Sequence, residues 1–178
     1  MTHRTPFALT LALGLACSTV AAQENTWDKN AQWLQDQIAA CSGGSNADAC
    51  RFFAAKALNQ LFGLSEFCKG EVCTTSTWIA AAVKDNWETV GPATDAAALK
   101  KAQEMATGGM AVIAASLDGD KGQVAIIMPG KPVFSGKWKG AVPVAVAARV
   151  DKPEASINGK GINFVFSDPS KVTLYAHK

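Results

Sequence analysis

Two apolar runs in the middle of the chain give its clearest pattern. They cover residues 108–116 and 122–130, and each holds a block of apolar, largely β-branched residues bounded by Gly, Asp or Pro. Such short blocks favour strands buried in the centre of a sheet over helices. Asp118 and Gly119 between them supply residues typical of a tight turn. The pattern predicts an antiparallel hairpin.

Apolar residues at helical spacing come mostly before this hairpin. The Gly-rich stretch 42–45 and Gly63 bound the second helix, whose first residue depends on whether Ser45 or Asp48 caps it. Trp78 and Trp87 fall on predicted core positions of the third helix. The predicted helices cover residues 26–40, 46 or 48 to 62, 75–87 and 95–106. After the hairpin, a loop at 132–142 and strands at 142–150, 161–166 and 172–176 are predicted, so the order indicates an α+β fold.

The first 22 residues have the pattern of a signal peptide. Arg4 precedes an apolar run at 7–16, and small residues at 20–22 offer a cleavage site before Gln23. We therefore expect an exported protein, periplasmic or secreted, whose residues 23–178 form one domain. Acylation of Cys17 is the alternative for this segment. No later stretch approaches the ~18 consecutive apolar residues of a transmembrane helix.

Four cysteines remain after the expected cleavage: Cys41, Cys50, Cys68 and Cys73. They permit three pairings, and the oxidising compartment favours the two short-range bonds, Cys41–Cys50 and Cys68–Cys73. No Cys-x-x-Cys motif is present and His177 is the single histidine of residues 23–178, so neither a zinc site nor another cofactor is expected. The formal net charge of +2 gives no reason to expect a nucleic-acid partner.

The hairpin and the helix before it carry a family resemblance. A helix ending in Ala-Gln-Glu-Met-Ala at 102–106 leads through a Gly-rich turn into Ala-Val-Ile-Ala at 111–114. Gly-Gln-Val-Ala-Ile-Ile-Met-Pro follows at 122–129. Together with Ala-Cys-Arg-Phe-Phe-Ala-Ala-Lys-Ala-Leu at 49–58, this order resembles the NlpC-like and CHAP-like cysteine peptidases and amidases. The resemblance covers approximately residues 46–130.

The resemblance implies a papain-like domain in which N-terminal helices precede an antiparallel sheet. It places Cys50 at the position of the family's nucleophile, at the start of a helix whose dipole stabilises a thiolate. It places Gln123 at the position of the family's catalytic histidine. Glutamine cannot exchange protons near neutral pH, and His177 would have to reach the site from the chain end.

Three hypotheses follow from this conflict. The first is a catalytically degenerate relative that binds a peptidoglycan peptide or an envelope protein. The second is an active cysteine amidase or endopeptidase that uses Cys50. The third is a structural or inhibitory envelope protein. The oxidation state of Cys50 separates the second hypothesis from the others, because a disulfide removes the nucleophile.

Overall fold

The structure, a computed structural model, describes residues 18–43, 47–118 and 121–178. Residues 1–17, which include Cys17 and most of the predicted signal peptide, lie outside the described residues. None of the helices in the described ranges is long and apolar enough to cross a membrane.

Helices precede most of the strands along the chain, and the neighbouring strands of every sheet pair antiparallel. This confirms the α+β class with helices followed by an antiparallel sheet. The helices are α1 (Ser18–Ser42), α2 (Ala47–Arg51), α3 (Phe53–Phe62), α4 (Ser76–Asn86) and α5 (Ala96–Thr107). The strands are β1 (Cys68–Lys69), β2 (Val72–Cys73), β3 (Glu88–Pro92), β4 (Val112–Asp118), β5 (Lys121–Ile127), β6 (Val133–Ser135), β7 (Gly140–Val142), β8 (Val144–Ala147), β9 (Ile157–Gly161) and β10 (Thr173–Ala176).

A six-stranded sheet with the order β3-β10-β4-β5-β8-β9 forms the centre of the molecule. The predicted hairpin is confirmed as β4 and β5, which pair from Ile113 opposite Ile126 to Asp118 opposite Lys121. Two smaller sheets pair β1 with β2 and β6 with β7.

Apolar side chains cover both faces of the central sheet. On one face Ile113, Ile126 and Tyr175 pack into a core shared with α1, α3 and α4. On the other face Val112 and Ile127 pack into a second core with α5. Because successive residues of a strand point to opposite faces, burial on both faces explains why β4 and β5 are continuous apolar runs.

The strand predictions after the hairpin were partly wrong. The predicted loop at 132–142 contains the short hairpin β6–β7, and the predicted strand at 161–166 is largely the 3₁₀ turn Ile162–Phe164. The strand at this place is β9, whose three middle residues are polar or Gly and exposed, so it lacks an apolar signal. Strand β3, in the segment of Gly91 and Pro92, was also missed.

The helix predictions were closer, with three corrections. Helix α1 begins at Ser18 rather than at residue 26. The predicted second helix is interrupted at Phe52, whose φ of −101° and ψ of 2° separate α2 from α3. Residues 44–46, where Ser45 would cap the helix, lie outside the described residues. Trp87 is buried as predicted, but Trp78 is 53% exposed and is not a core residue.

Candidate functional site

Cys50 is bonded to Cys41 in a disulfide that joins the last turn of α1 to α2. Both residues are at least 98% buried. The sulfur of Cys41 lies 3.3 Å from the hydroxyl of Ser156 and 3.8 Å from the carbonyl oxygen of Arg149. The predicted second bond, Cys68–Cys73, is also present and closes the β1–β2 hairpin. Cys50 therefore has no free thiol in this structure.

Gln123 lies in β5 with its side-chain amide turned toward the neighbouring strand. Its Nε2 donates to the carbonyl oxygens of Ala148, at 3.0 Å, and Val124, at 3.1 Å. Since both partners are acceptors, the amide nitrogen rather than the oxygen must face them. The Oε1 of Gln123 accepts no hydrogen bond from any described residue and remains available as an acceptor.

Gln123 and the Cys41–Cys50 disulfide contact the same segment, the residues that follow β8. Gln123 bonds the carbonyl of Ala148, while the sulfur of Cys41 contacts the carbonyl of the next residue, Arg149. Gln123 and Cys41, the disulfide partner of Cys50, thus contact consecutive residues of one segment.

Helix α4 packs directly on β5 beside Gln123. The N–H of Gly122 donates to Thr77 Oγ1 at 3.0 Å, and a Cβ added at 122 would clash with the Cα of Thr77. The side chain of Thr75 caps the helix by accepting from the N–H of Trp78. Glycine before position 123 thus allows the first turn of α4 to approach the strand closely.

A cleft of about 720 Å³ opens at this end of β5. Its lining combines four groups of residues: the first turn of α4, the β4–β5 ends, the segment after β8 and the segment before β10. Arg51 lines it next to Cys50. The other polar lining residues are Thr75, Ser76, Thr77, Ser116, Asp118, Lys121, Gln123, Arg149, Asp151, Ser167, Asp168 and Lys171.

The acidic side chains of the cleft are already engaged by partners. Asp118 lies 2.7 Å from Lys171, and the hydrogen bond and charge of this lysine lower the pKa of the carboxyl. Asp151 accepts from the guanidinium of Arg149, which lowers its pKa in the same way. Arg51 and Lys121, in contrast, form no ion pair within the described ranges. Asp168, the third carboxylate of the lining, forms no ion pair in the described part of the chain and accepts from the N–H and the hydroxyl of Ser170. The lining thus carries four basic and three acidic side chains.

His177 lies away from this cleft. Its ring packs edge-on against Trp87 with centroids 5.1 Å apart, and its Nε2 is 3.9 Å from Glu66 Oε1. Its backbone N–H donates to Ala111. His177 is absent from the residues that line the cleft, so the imidazole that the sequence left as a possible base is not placed there.

Sequence reasoning missed most of the cleft. The signals in the sequence were the Thr-Ser-Thr run at 75–77, which begins α4, and Arg-Val-Asp at 149–151, which follows β8. Both are short, mostly polar segments at the end of a helix or strand, and such segments are common in loops without a function. Only the fold shows that they meet.

No metal site accompanies these residues: no group of three His, Cys, Asp or Glu side chains in the described part of the chain is placed to hold an ion. A comparison with protein-family models finds no match, and a comparison with curated proteins finds no significant match.

Proposed function

We propose that this protein is an exported, catalytically degenerate relative of papain-like cell-wall cysteine amidases, and that it binds a peptide of the cell wall or of an envelope protein in the cleft beside Gln123. The observation that carries the proposal is the pairing of Cys50 with Cys41 next to a glutamine. The NlpC-like and CHAP-like resemblance supplies the family and the papain-like fold within the α+β class.

Cysteine-dependent amide hydrolysis requires a thiolate and a group that takes up and returns a proton. The sulfur of Cys50 is bonded to Cys41 and cannot attack a carbonyl. Gln123 has no titratable group, and both of its N–H bonds are used by backbone carbonyls. General acid–base assistance of about 10²–10⁴ in rate is therefore lost as well.

The same residues suit the binding of a peptide. The free Oε1 of Gln123 can accept from a backbone N–H of a ligand. Arg51 and the hydroxyl of Ser76, a largely buried residue that lines the cleft, can donate to a carbonyl or a carboxylate. Val150, 50% exposed in the same cleft, offers an apolar contact. A peptide carries all three complementary groups.

The proposal is tested with purified sacculi and the exported protein. We expect the protein to co-sediment with sacculi, or to bind peptides released from them, without releasing new fragments. Gln123→Leu and Arg51→Glu should each weaken binding about tenfold or more, because each removes a hydrogen-bonding partner in the cleft. Lys29→Glu is the matched control for charge, since Lys29 is exposed on α1.

Two results would replace this proposal. Release of fragments that is abolished by Cys50→Ala would establish an active cysteine amidase. The unmodified protein could also neither bind sacculi nor release fragments from them, with the same result for both cleft variants. That outcome would favour a structural or inhibitory envelope protein.

A stricter test restores the missing groups. Gln123→His alone should give little hydrolysis, because Cys50 stays in the disulfide. Cys41→Ala with Gln123→His frees the thiol and supplies an imidazole together, so activity confined to the double variant would support descent from an enzyme. Activity of the single variant would contradict the disulfide as the block.

A further inference from the structure

The β6–β7 hairpin and the outer side of α5 form a second surface, whose groove shares no lining residue with the cleft. Between them lies a groove of about 600 Å³ whose lining includes Leu99, Pro132 and Ala141. Phe134, 78% exposed, is the cross-strand partner of Ala141. Because directly opposed residues share one face of a sheet, Phe134 lies beside this groove. Val133 points to the opposite face, where it meets Gly161.

The polar side chains of the groove are occupied by the fold itself. Gln103 is 3% exposed, donates to Met128 O at 2.7 Å and accepts from the N–H of Val144 at 3.1 Å. Thr107 Oγ1 is hydrogen-bonded to both backbone groups of Gly130. Because these two side chains bond to the protein itself, a ligand in the groove would contact mainly apolar atoms.

The rim of this surface is basic. Lys131 lines the groove, and Lys137 and Lys139 lie in the turn between β6 and β7. The three lysines are exposed. Glu104, the one acidic residue that lines the groove, pairs with Lys100 at 3.7 Å. Lys131, Lys137 and Lys139 form no ion pair among the described residues, and Asp168 is close enough to Lys137 to interact with its charge. An apolar groove, an exposed aromatic ring and this excess of lysines match an anionic lipid surface in charge and in polarity.

We propose that the β6–β7 hairpin docks on membranes that contain anionic phospholipid, with Phe134 at the level of the head groups and Lys131, Lys137 and Lys139 facing lipid phosphates. Aromatic rings favour this interfacial position. The groove would receive the acyl-chain region next to the inserted ring. No contribution from the cleft is needed, so the proposal is independent of the proposed function.

The test is flotation of the purified protein with vesicles of phosphatidylcholine alone and of phosphatidylcholine with phosphatidylglycerol. We expect binding only to the anionic vesicles, and weaker binding as salt rises. A lysine near an anionic surface contributes roughly a fivefold increase in affinity, so Lys131→Gln, Lys137→Gln and Lys139→Gln combined should lower it by roughly 100-fold.

Matched variants keep the result specific. The combination Lys29→Gln, Lys69→Gln and Lys84→Gln removes the same charge from exposed positions outside residues 129–150 and should bind as the unmodified protein does. Phe134→Ser should weaken binding, whereas Val72→Ser, at a residue 77% exposed in β2, should not. A melting curve for each variant shows that it is folded.

Three outcomes would overturn the proposal: no flotation with anionic vesicles, equal flotation with both kinds of vesicle, or an equal loss in both triple-lysine variants. Binding to soluble polyglutamate that Phe134→Ser leaves unchanged, without flotation, would assign the lysine rim to an acidic polymer instead.

Discussion

Gln123 has a structural task that a histidine could not perform alone. Its two amide hydrogens bond two carbonyl oxygens, whereas a neutral imidazole has one N–H. Gln123→Leu leaves Ala148 O and Val124 O without these donors and should lower the free energy of unfolding by about 1–3 kcal/mol in urea. Gln35→Leu, at an exposed position of α1, should stay within about 0.5 kcal/mol. Equal changes in the free energy of unfolding for the two variants would mean that the hydrogen bonds of Gln123 contribute nothing to stability.

Gly122 is the position in β5 where a side chain cannot be added. Gly122→Ala should destabilise the protein by about 1–3 kcal/mol, since the new methyl group would force the first turn of α4 away from the strand. Thermal or urea unfolding measures the loss. Gly136→Ala is the control, because a Cβ there meets no atom within 4 Å. An unchanged midpoint for Gly122→Ala would show that α4 and β5 are not held this closely.

The Asp118–Lys171 pair gives a measurable pKa at the rim of the cleft. Lys171 lowers the pKa of Asp118 by hydrogen bonding and by its charge, so Lys171→Met should raise that pKa toward the usual value, about 4. Carboxyl chemical shifts followed during an NMR titration report it directly. Lys137→Met, which removes another exposed lysine, should leave the Asp118 pKa in place.

The sign of the pH dependence follows from the direction of this shift. Since the folded state has the lower pKa, the contribution of Asp118 to stability is present above the unfolded pKa and is lost as the pH falls through the lowered folded value. Both side chains are exposed, so the effect on total stability is small. A titration curve for Asp118 that is identical with and without Lys171 would contradict the pairing.

The Cys41–Cys50 disulfide connects helix α1 to helix α2. Closing a loop of 9 residues removes unfolded-state entropy worth about 2–3 kcal/mol. Cys41→Ala with Cys50→Ala should therefore lower the free energy of unfolding by about this amount. Alkylation of the unreduced, denatured protein should label no cysteine among Cys41, Cys50, Cys68 and Cys73. Labelling of Cys41 and Cys50 would contradict the bond.

Elements with a strong local signal were predictable from the sequence. The hairpin β4–β5 is apolar on both faces, and α5 begins where predicted because Asp95 caps it by accepting from the N–H of Ala97. The short hairpin β6–β7 and the edge strand β9 could not be found in this way. Each has only three to five residues, and their burial patterns show no regular alternation of apolar buried and polar exposed positions.

Of the two positions that the family resemblance singled out, Gln123 lines the cleft and Cys50 does not. Cys50 and Gln123 could be singled out because each belongs to a recognisable sequence motif: a cysteine at the start of a helix, and a strand that begins with Gly-Gln. The two motifs occur in the order found in the resembled family. Thr75–Thr77 and Arg149 could not, since each lies at the end of a different element. Only the packing of α4 on β5 and the pairing of β5 with β8 bring them together.

The central sheet unites the two cores into one cooperative unit. Neighbouring residues of β4, such as Val112 and Ile113, belong to opposite cores, so neither core can be lost while the other keeps its strands. We expect a single unfolding transition in urea, with coincident curves from far-ultraviolet circular dichroism and tryptophan fluorescence. Trp27 and Trp87 report the first core, and Trp138 packs against the second.

In the variant Trp138→Phe, tryptophan fluorescence reports unfolding without the contribution of the second core. The fluorescence of the unmodified protein minus that of this variant gives the signal of Trp138, which reports the second core. The two signals should share one midpoint, because loss of α5 would expose the face of β4 that carries Val112 and would remove the packing of that face in the second core. An earlier midpoint for the Trp138 signal would show instead that α5 and the β6–β7 hairpin unfold before the helices on the other face.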